Sequence, residues 1–167
     1  CLYDAHKLGQ IFRLTADGTL SILAEGLIAP GGGLMQASNG DFYGVKRRLP
    51  DAGYLPEALR VGTVYRLSQD GTLTFGPSDV DLYFSPRGEL VESPEGFLYG
   101  MREPQSFQYE PPSFEGVFRM TLTPDPSDAV LANISSANML PGGLVVGSDG
   151  NYYGADTLTR MTPSGAA

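Results

Sequence analysis

The sequence predicts an all-β protein made of propeller blades, and three observations predict it. Two hairpin motifs return in phase at about fifty residues, each closes on a glycine turn, and no stretch sustains a 3.6-residue period. The first motif, Gly9-Gln10-Ile11-Phe12-Arg13-Leu14-Thr15-Ala16-Asp17-Gly18-Thr19-Leu20, returns as Gly62-Thr63-Val64-Tyr65-Arg66-Leu67-Ser68-Gln69-Asp70-Gly71-Thr72-Leu73 and more loosely as Gly116-Val117-Phe118-Arg119-Met120. Its aromatic falls at positions 12, 65 and 118, an interval of 53 residues both times. The second motif places its turn glycine at 40, 96 and 150, in Asn39-Gly40-Asp41-Phe42-Tyr43-Gly44, Glu95-Gly96-Phe97-Leu98-Tyr99-Gly100 and Asp149-Gly150-Asn151-Tyr152-Tyr153-Gly154.

Each unit reads as four short strands. Strand a alternates over residues 11–14, 64–67 and 117–120, then turns at Asp17-Gly18 or Asp70-Gly71, dipeptides that favour tight hairpins. Strand b follows at 19–23, 72–75 and 129–134, strand c at 34–37, 90–93 and 144–147, and strand d at 42–43, 98–99 and 152–153. Residues 56–60 form at most one helical turn. Four antiparallel strands repeated at this length are the pattern of propeller blades, whereas a sandwich does not require two hairpin motifs in step.

The repeat divides the chain into three complete four-stranded antiparallel blades plus partial flanking strands. Residues 1–8 read as the last strand of a preceding blade, 9–48 as blade 1, 49–61 as an insertion and 62–102 as blade 2. Residues 103–115 are a second insertion, 116–156 blade 3, and 157–167 the first strand of a following blade. Three blades do not close a ring, and an open end exposes strand edges and apolar faces. The expectation is a section of a longer propeller or a subunit completed by neighbouring chains.

Composition bounds the function classes. The 167 residues carry a net charge of −8 and 41% hydrophobic residues, with 22 glycines. An acidic chain without a basic stripe argues against nucleic acid and anionic membrane surfaces. No apolar run approaches the roughly twenty residues of a membrane span. Cys1 is the single cysteine, so no intrachain disulfide forms. A mature bacterial lipoprotein begins with a lipidated Cys, a position Cys1 fits; the plainer reading is a boundary that falls there by accident.

These residues resemble the GloVer (Gloeobacter/Verrucomicrobia) tandem repeat, whose units look like G-T-V-F-K-L-T-P-D-G-T-L followed by G-L-I-Q-G-S-D-G-N-F-Y-G-T. The nearest stretches are residues 62–73, 33–44 and 143–154, and the likeness covers nearly the whole chain apart from its loops. Departures are arginine in place of lysine at 13, 66 and 119, Asp125-Pro126-Ser127-Asp128 in place of D-G-T, and long insertions. The resemblance implies a bacterial, exported, propeller-forming protein and supplies no catalytic residue. Pro141-Gly142-Gly143-Leu144 with Asp149-Gly150-Asn151-Tyr152-Tyr153 also looks like the repeats of gluconolactonase-like and streptogramin-lyase-like propellers. That second resemblance implies a divalent metal held at a channel mouth by acidic and amide side chains, of which this chain has no obvious set.

Antiparallel connectivity places the a–b and c–d turns at one end of the blades and the long b–c and d–a connections at the other. Rigid scaffolds carry binding residues on long loops. Arg47, Arg48, Tyr54, Asp81, Tyr83, Phe107 and Tyr109 are therefore the ligand-binding candidates, a mixture of rings and charged groups suited to a carbohydrate or protein ligand. The competing reading is that they pack the insertions onto the blades. Arg13, Arg66, Arg119 and Arg160 share one position on strand a, taken as innermost, and are channel anion candidates. Alternatively each pairs with a carboxylate or covers an aromatic ring.

The remaining chemistry is sparse. Asp17, Asp70 and Asp149 are explained by their turns rather than by calcium, which needs six to eight converging oxygens. Asp125 and Asp128 read as an Asx-type turn. His6 has no cysteine or second histidine with which to hold zinc, and no G-x-S-x-G context makes it part of a triad. Tyr43, Tyr99 and Tyr153 read as inter-blade packing residues. The expectation is a non-catalytic extracellular module without cofactor or metal, whose partners are other blades, copies of itself, or a carbohydrate or protein ligand. A metal-dependent propeller enzyme and a self-assembling structural subunit are its rivals.

Overall fold

The computed structural model describes residues 9–27, 31–46, 62–76, 86–102, 116–123, 131–135, 144–154 and 159–162. These hold thirteen strands: β1 (Gly9–Leu14), β2 (Leu20–Leu27), β3 (Met35–Gln36), β4 (Phe42–Lys46), β5 (Thr63–Leu67), β6 (Leu73–Phe75), β7 (Pro86–Glu92), β8 (Phe97–Arg102), β9 (Gly116–Thr121), β10 (Leu131–Ser135), β11 (Leu144–Val146), β12 (Tyr152–Gly154) and β13 (Thr159–Met161). No helix is present among the described residues, and every strand pair is antiparallel. Among the described residues no helix is long and apolar enough to cross a membrane.

The strands assemble into four sheets, ordered β1-β2, β3-β4-β5-β6, β7-β8-β9-β10 and β11-β12-β13. This grouping corrects the division at 9–48, 62–102 and 116–156. Strand d of one unit pairs with strand a of the next, as in β4–β5, β8–β9 and β12–β13. Strands b and c of a single unit lie in different sheets. Among the described residues two sheets have four strands. The physical reason is that strand d is longer than its alternating core. Val45 and Lys46 continue the ladder onto Val64 and Thr63, and Met101 and Arg102 continue it onto Val117 and Gly116. Periodicity fixes the length of the unit but not where one sheet stops and the next begins.

Alternation along each strand gives every sheet two apolar faces, and neighbouring sheets bury them against one another. Ile11 and Leu27 of the first sheet pack on Tyr65 and Leu67 of the second. Tyr43, Val45 and Val64, on the opposite face of that second sheet, meet Leu90, Leu98, Phe118 and Met120 of the third. Tyr99, Met101 and Val117 then meet Leu144, Tyr152 and Met161 of the fourth. Tyr99 and Tyr152 stack with ring centroids 4.3 Å apart.

The first strands of the sheets converge. β7 contacts β3, β4 and β11, so strand c, not strand a, lies on the inner edge. Gly32 lets the backbones meet: a Cβ there would sit 2.1 Å from the carbonyl oxygen of Gly88. At the turn end, Glu92 bridges two sheets by accepting from the Ser38 amide (2.7 Å) and hydroxyl (2.5 Å).

Candidate functional site

The tight turns occupy one end of the sheets and explain their own acidic residues. Five of them share one frame. In each, the glycine amide donates three residues back, and the first residue's amide donates to the carbonyl four residues on. Examples are Gly18 to Thr15 (2.9 Å) with Thr15 to Thr19 (3.0 Å), and Gly150 to Gly147 (3.0 Å) with Gly147 to Asn151 (2.8 Å). The glycine carries the positive φ, 86° at Gly18, 89° at Gly71 and 78° at Gly150, which defines a hairpin closed by a single left-handed residue. Asp17, Asp70 and Asp149 spend their oxygens inside the turns, accepting from the amides of Thr19, Thr72 and Asn151. The Thr15 and Ser68 hydroxyls also donate to the first two carboxylates, and Asn151 and Tyr153 to the third. Hydrogen bonding to the charged form holds Asp70 and Asp149 down to about 2 and lowers Asp17 in the same direction. Bonded to the Asp149 carboxylate, the Tyr153 phenol is pushed up.

Arg66 and Arg119 do not line an inner edge, because strand a is third in their four-stranded sheets. Arg66 directs Nε and Nη2 at Oδ2 of the buried Asp41, at 2.8 and 2.7 Å. Arg119 holds the equivalent position over the Phe97 ring, 4.6 Å from its centroid. Asp41 and Phe97 are the residues that directly follow the turn glycine, so one geometric slot is filled by a carboxylate in one sheet and a ring in the next. Arg13 and Arg160 are exposed. The carboxylate and aromatic partners expected as the alternative are the ones present at Arg66 and Arg119.

The other end of the sheets, where the long connections depart, is the candidate site. Arg47, Arg48, Tyr54, Asp81, Tyr83, Phe107 and Tyr109 lie outside the described residues, as do His6, Cys1, Asp125 and Asp128. What the described residues supply is the floor beneath those connections. Lys46 and Arg102 end β4 and β8, three residues after Tyr43 and Tyr99, and both are buried. Burial lowers the Lys46 ammonium below its usual range. Neither cation is without a partner. Arg87 stands on the neighbouring inner strand, paired with Met101. Register places the three cations on different faces: Lys46 on that of Tyr65 and Leu67, Arg102 on that of Leu98 and Phe118, and Arg87 on that of Met101. The strand d expected from the sequence, 42–43 and 98–99, stops short of Lys46 and Arg102. The signal that finds them is their fixed distance from the Tyr-Gly pair, legible once strand d is allowed to run to its full length.

Against known proteins, the comparison of structures is informative. A crystal structure provisionally described as a gluconolactonase superposes with a TM-score of 0.62 at 21% sequence identity, covering 93% of this chain. The fold is β-propeller-like. The chain spans about half of that structure's length, 54%. No protein-family model and no curated protein matches the chain.

The channel-mouth metal implied by such propellers can be tested against the donors present. Glu89 lies on the inner strand with its carboxylate against Gly33, where a Cβ would come within 2.5 Å of Oε1. The repeat-equivalent positions are Gly33 and Gly143, which bring no donor. Among the described residues no group of three or more His, Cys, Asp or Glu side chains could hold a metal ion. One carboxylate does not make the six-oxygen shell of a hard cation. The described residues therefore do not fit the metal.

Proposed function

We propose that the chain is a non-catalytic β-propeller repeat module, acting outside the cell by binding or by assembly. The observation that carries this reading is that both terminal sheets expose apolar surface of the type buried between the inner sheets: Phe12, Leu14, Leu20 and Ile22 at one end and Val145 at the other. Exposed apolar patches mark interaction surfaces. In this reading β1–β2 and β11–β13 are parts of blades like the two four-stranded sheets, and the insertions above Lys46 and Arg102 take a carbohydrate or protein ligand. The extracellular setting follows from the resemblance to the GloVer repeat. Assay of the intact protein on aldonolactones, with calcium, magnesium, manganese or zinc added, is expected to give no turnover above background.

One observation favours a second reading, a metal-dependent propeller enzyme of the gluconolactonase type. The fold is shared with a structure so described, and Glu89 stands on the inner strand. Lactone turnover that disappears in Glu89→Gln establishes that reading and overturns the first.

A further inference from the structure

We propose that Asn39 is a modification site, where deamidation converts the turn of residues 37–41 into the carboxylate turn that the chain already carries at Asp149. The inference goes beyond both functional readings above and depends on neither.

Asn39-Gly40 is the one Asn-Gly pair in the sequence, and Asn39 lies exposed at the turn end of the second sheet. A glycine after asparagine has no side chain to hinder its own nitrogen from reaching the side-chain carbonyl. The Gly40 nitrogen, losing its proton to solvent, attacks Cγ of Asn39; the Cγ–Nδ2 bond breaks and ammonia leaves. Water then opens the succinimide. Breaking the bond from Cγ to the Gly40 nitrogen gives aspartate, and breaking the bond from the main-chain carbonyl carbon gives isoaspartate. One water is consumed and one ammonia released, with nothing oxidised or reduced.

The folded turn restrains the first step. The Gly40 amide donates to the Ala37 carbonyl at 2.8 Å, and Oδ1 of Asn39 accepts from the Asp41 amide at 3.0 Å. Both bonds must be released before nitrogen meets carbon, so the reaction runs through local opening of the turn.

The fold then discriminates between the products. Residues 147–151 form the same turn with a carboxylate in place of the amide. The φ of Gly40 is 87° and that of Gly150 is 78°, and Oδ1 of Asp149 accepts from the Asn151 amide at 3.1 Å. A phenol four residues on completes each turn. Nδ2 of Asn39 donates to the Tyr43 hydroxyl at 3.2 Å, whereas the Tyr153 hydroxyl donates to Oδ2 of Asp149 at 2.7 Å. A phenol both donates and accepts, so Tyr43 can serve an aspartate at position 39 as Tyr153 serves Asp149. Asn151 gives Asp149 a further donor at 2.7 Å; in its place the second sheet has Asp41, whose charge is met by Arg66 at 2.7 Å. Isoaspartate has no such precedent. Its extra main-chain methylene stretches the frame that the Ala37 amide closes on the Asp41 carbonyl at 2.9 Å, and it displaces Ser38 from Glu92 of the third sheet. Aspartate is retained in the fold; isoaspartate loosens it.

The test incubates the intact protein at mildly alkaline pH, native and in guanidinium chloride. Mass spectrometry follows the tryptic fragment 14–46, in which Asn39 is the only asparagine. The expected result is the mass gain of exchanging –NH2 for –OH in both samples, slower in the native one by roughly tenfold or more, as local opening requires. No gain in the native protein once the unfolded chain has fully converted overturns the site, and equal rates overturn the restraint by the turn. Asn39→Gln, which closes no five-membered ring, should lose the gain; a gain at the same rate overturns the assignment to Asn39. Asn39→Asp should keep the circular dichroism and denaturant midpoint of the parent. Its new carboxyl carbon resonance should titrate below the usual aspartate range, as hydrogen bonding dictates for Asp149. A lowered denaturant midpoint or an ordinary carboxyl titration overturns the acceptance of the aspartate product.

Discussion

The hairpins β1–β2 and β5–β6 carry the same motif, fold through the same turn and end in opposite surroundings. In both, a hydroxyl residue, Thr15 or Ser68, accepts from the amide four residues on at 3.1 Å. The glycine φ differs by only 3°, 86° against 89°. Yet Phe12 and Leu14 face outward while Tyr65 and Leu67 are sealed against the first sheet. The difference teaches that the motif encodes the hairpin and its two apolar faces, whereas burial is conferred by the neighbouring sheet. A second contrast carries the same lesson. Arg66 and Arg119 occupy one slot, held by Asp41 in one sheet and by Phe97 in the next.

The largest expected effect breaks the first comparison at its aromatic position. Phe118→Ala empties a fully buried site and should cost about 3–5 kcal/mol, while Phe12→Ala in the monomer should cost under about 1 kcal/mol. Urea unfolding of the two variants measures both. Equal losses would mean that the β1–β2 face is covered within the monomer.

The next effect separates crowding from backbone strain. A Cβ on Gly100 would lie 2.4 Å from Cζ of Phe118 and 2.7 Å from Cδ2 of Leu90, so Gly100→Ala should destabilise by about 1–3 kcal/mol through overpacking. Gly18 has open space around it but a φ of 86°, so Gly18→Ala should cost about 1–2 kcal/mol through its left-handed backbone alone. Combining Phe118→Ala with Gly100→Ala should recover part of the first loss and none of the second, read from the same unfolding curves.

A smaller effect sharpens the arginine contrast. Double-mutant cycles on Arg66 with Asp41 and on Arg119 with Phe97 should each return a coupling of about 0.5–1 kcal/mol. Raising the salt to about 1 M should diminish the Arg66 coupling more, because the Debye length falls to about 3 Å. Equal salt sensitivity would contradict the two geometries.

The smallest effect addresses what the hairpins have in common. Because its folded pKa is depressed, Asp70 contributes stability that is fully present above the unfolded value of 3.8 and is lost as pH falls through about 2. Asp17 shifts in the same direction from the equivalent donors, although among the described residues no sheet covers the Phe12 face of its own. Carboxyl carbon NMR shifts through an acid titration should show a midpoint of about 2 for Asp70, with that of Asp17 displaced downward as well. A normal midpoint for Asp17 would show that turn chemistry depends on the neighbouring sheet after all.

Much of this was legible residue by residue. The Asp-Gly and Asn-Gly turns, the alternation of Ile11-Phe12-Arg13-Leu14 and the absence of helix among the described residues follow from local sterics and hydrogen bonding. The turn role of Asp17, Asp70 and Asp149 was equally readable, since their acceptors serve amides two residues away. The candidate site was less so. Lys46 and Arg102 belong to strands only because β5 and β9 extend the ladder past Tyr43-Gly44 and Tyr99-Gly100, and pairing across an insertion leaves no local trace.

By itself, then, the sequence determined the hairpins, their turns, the two-faced strands and the period at which they return, because each depends on contacts within a few residues. Tertiary structure alone decided that strand d joins the following strand a, that strand c takes the inner edge, and that Phe118 is sealed while Phe12 is open. Those outcomes depend on which surfaces meet across tens of residues, and identical motifs carry no information about whether a neighbour is there to meet them.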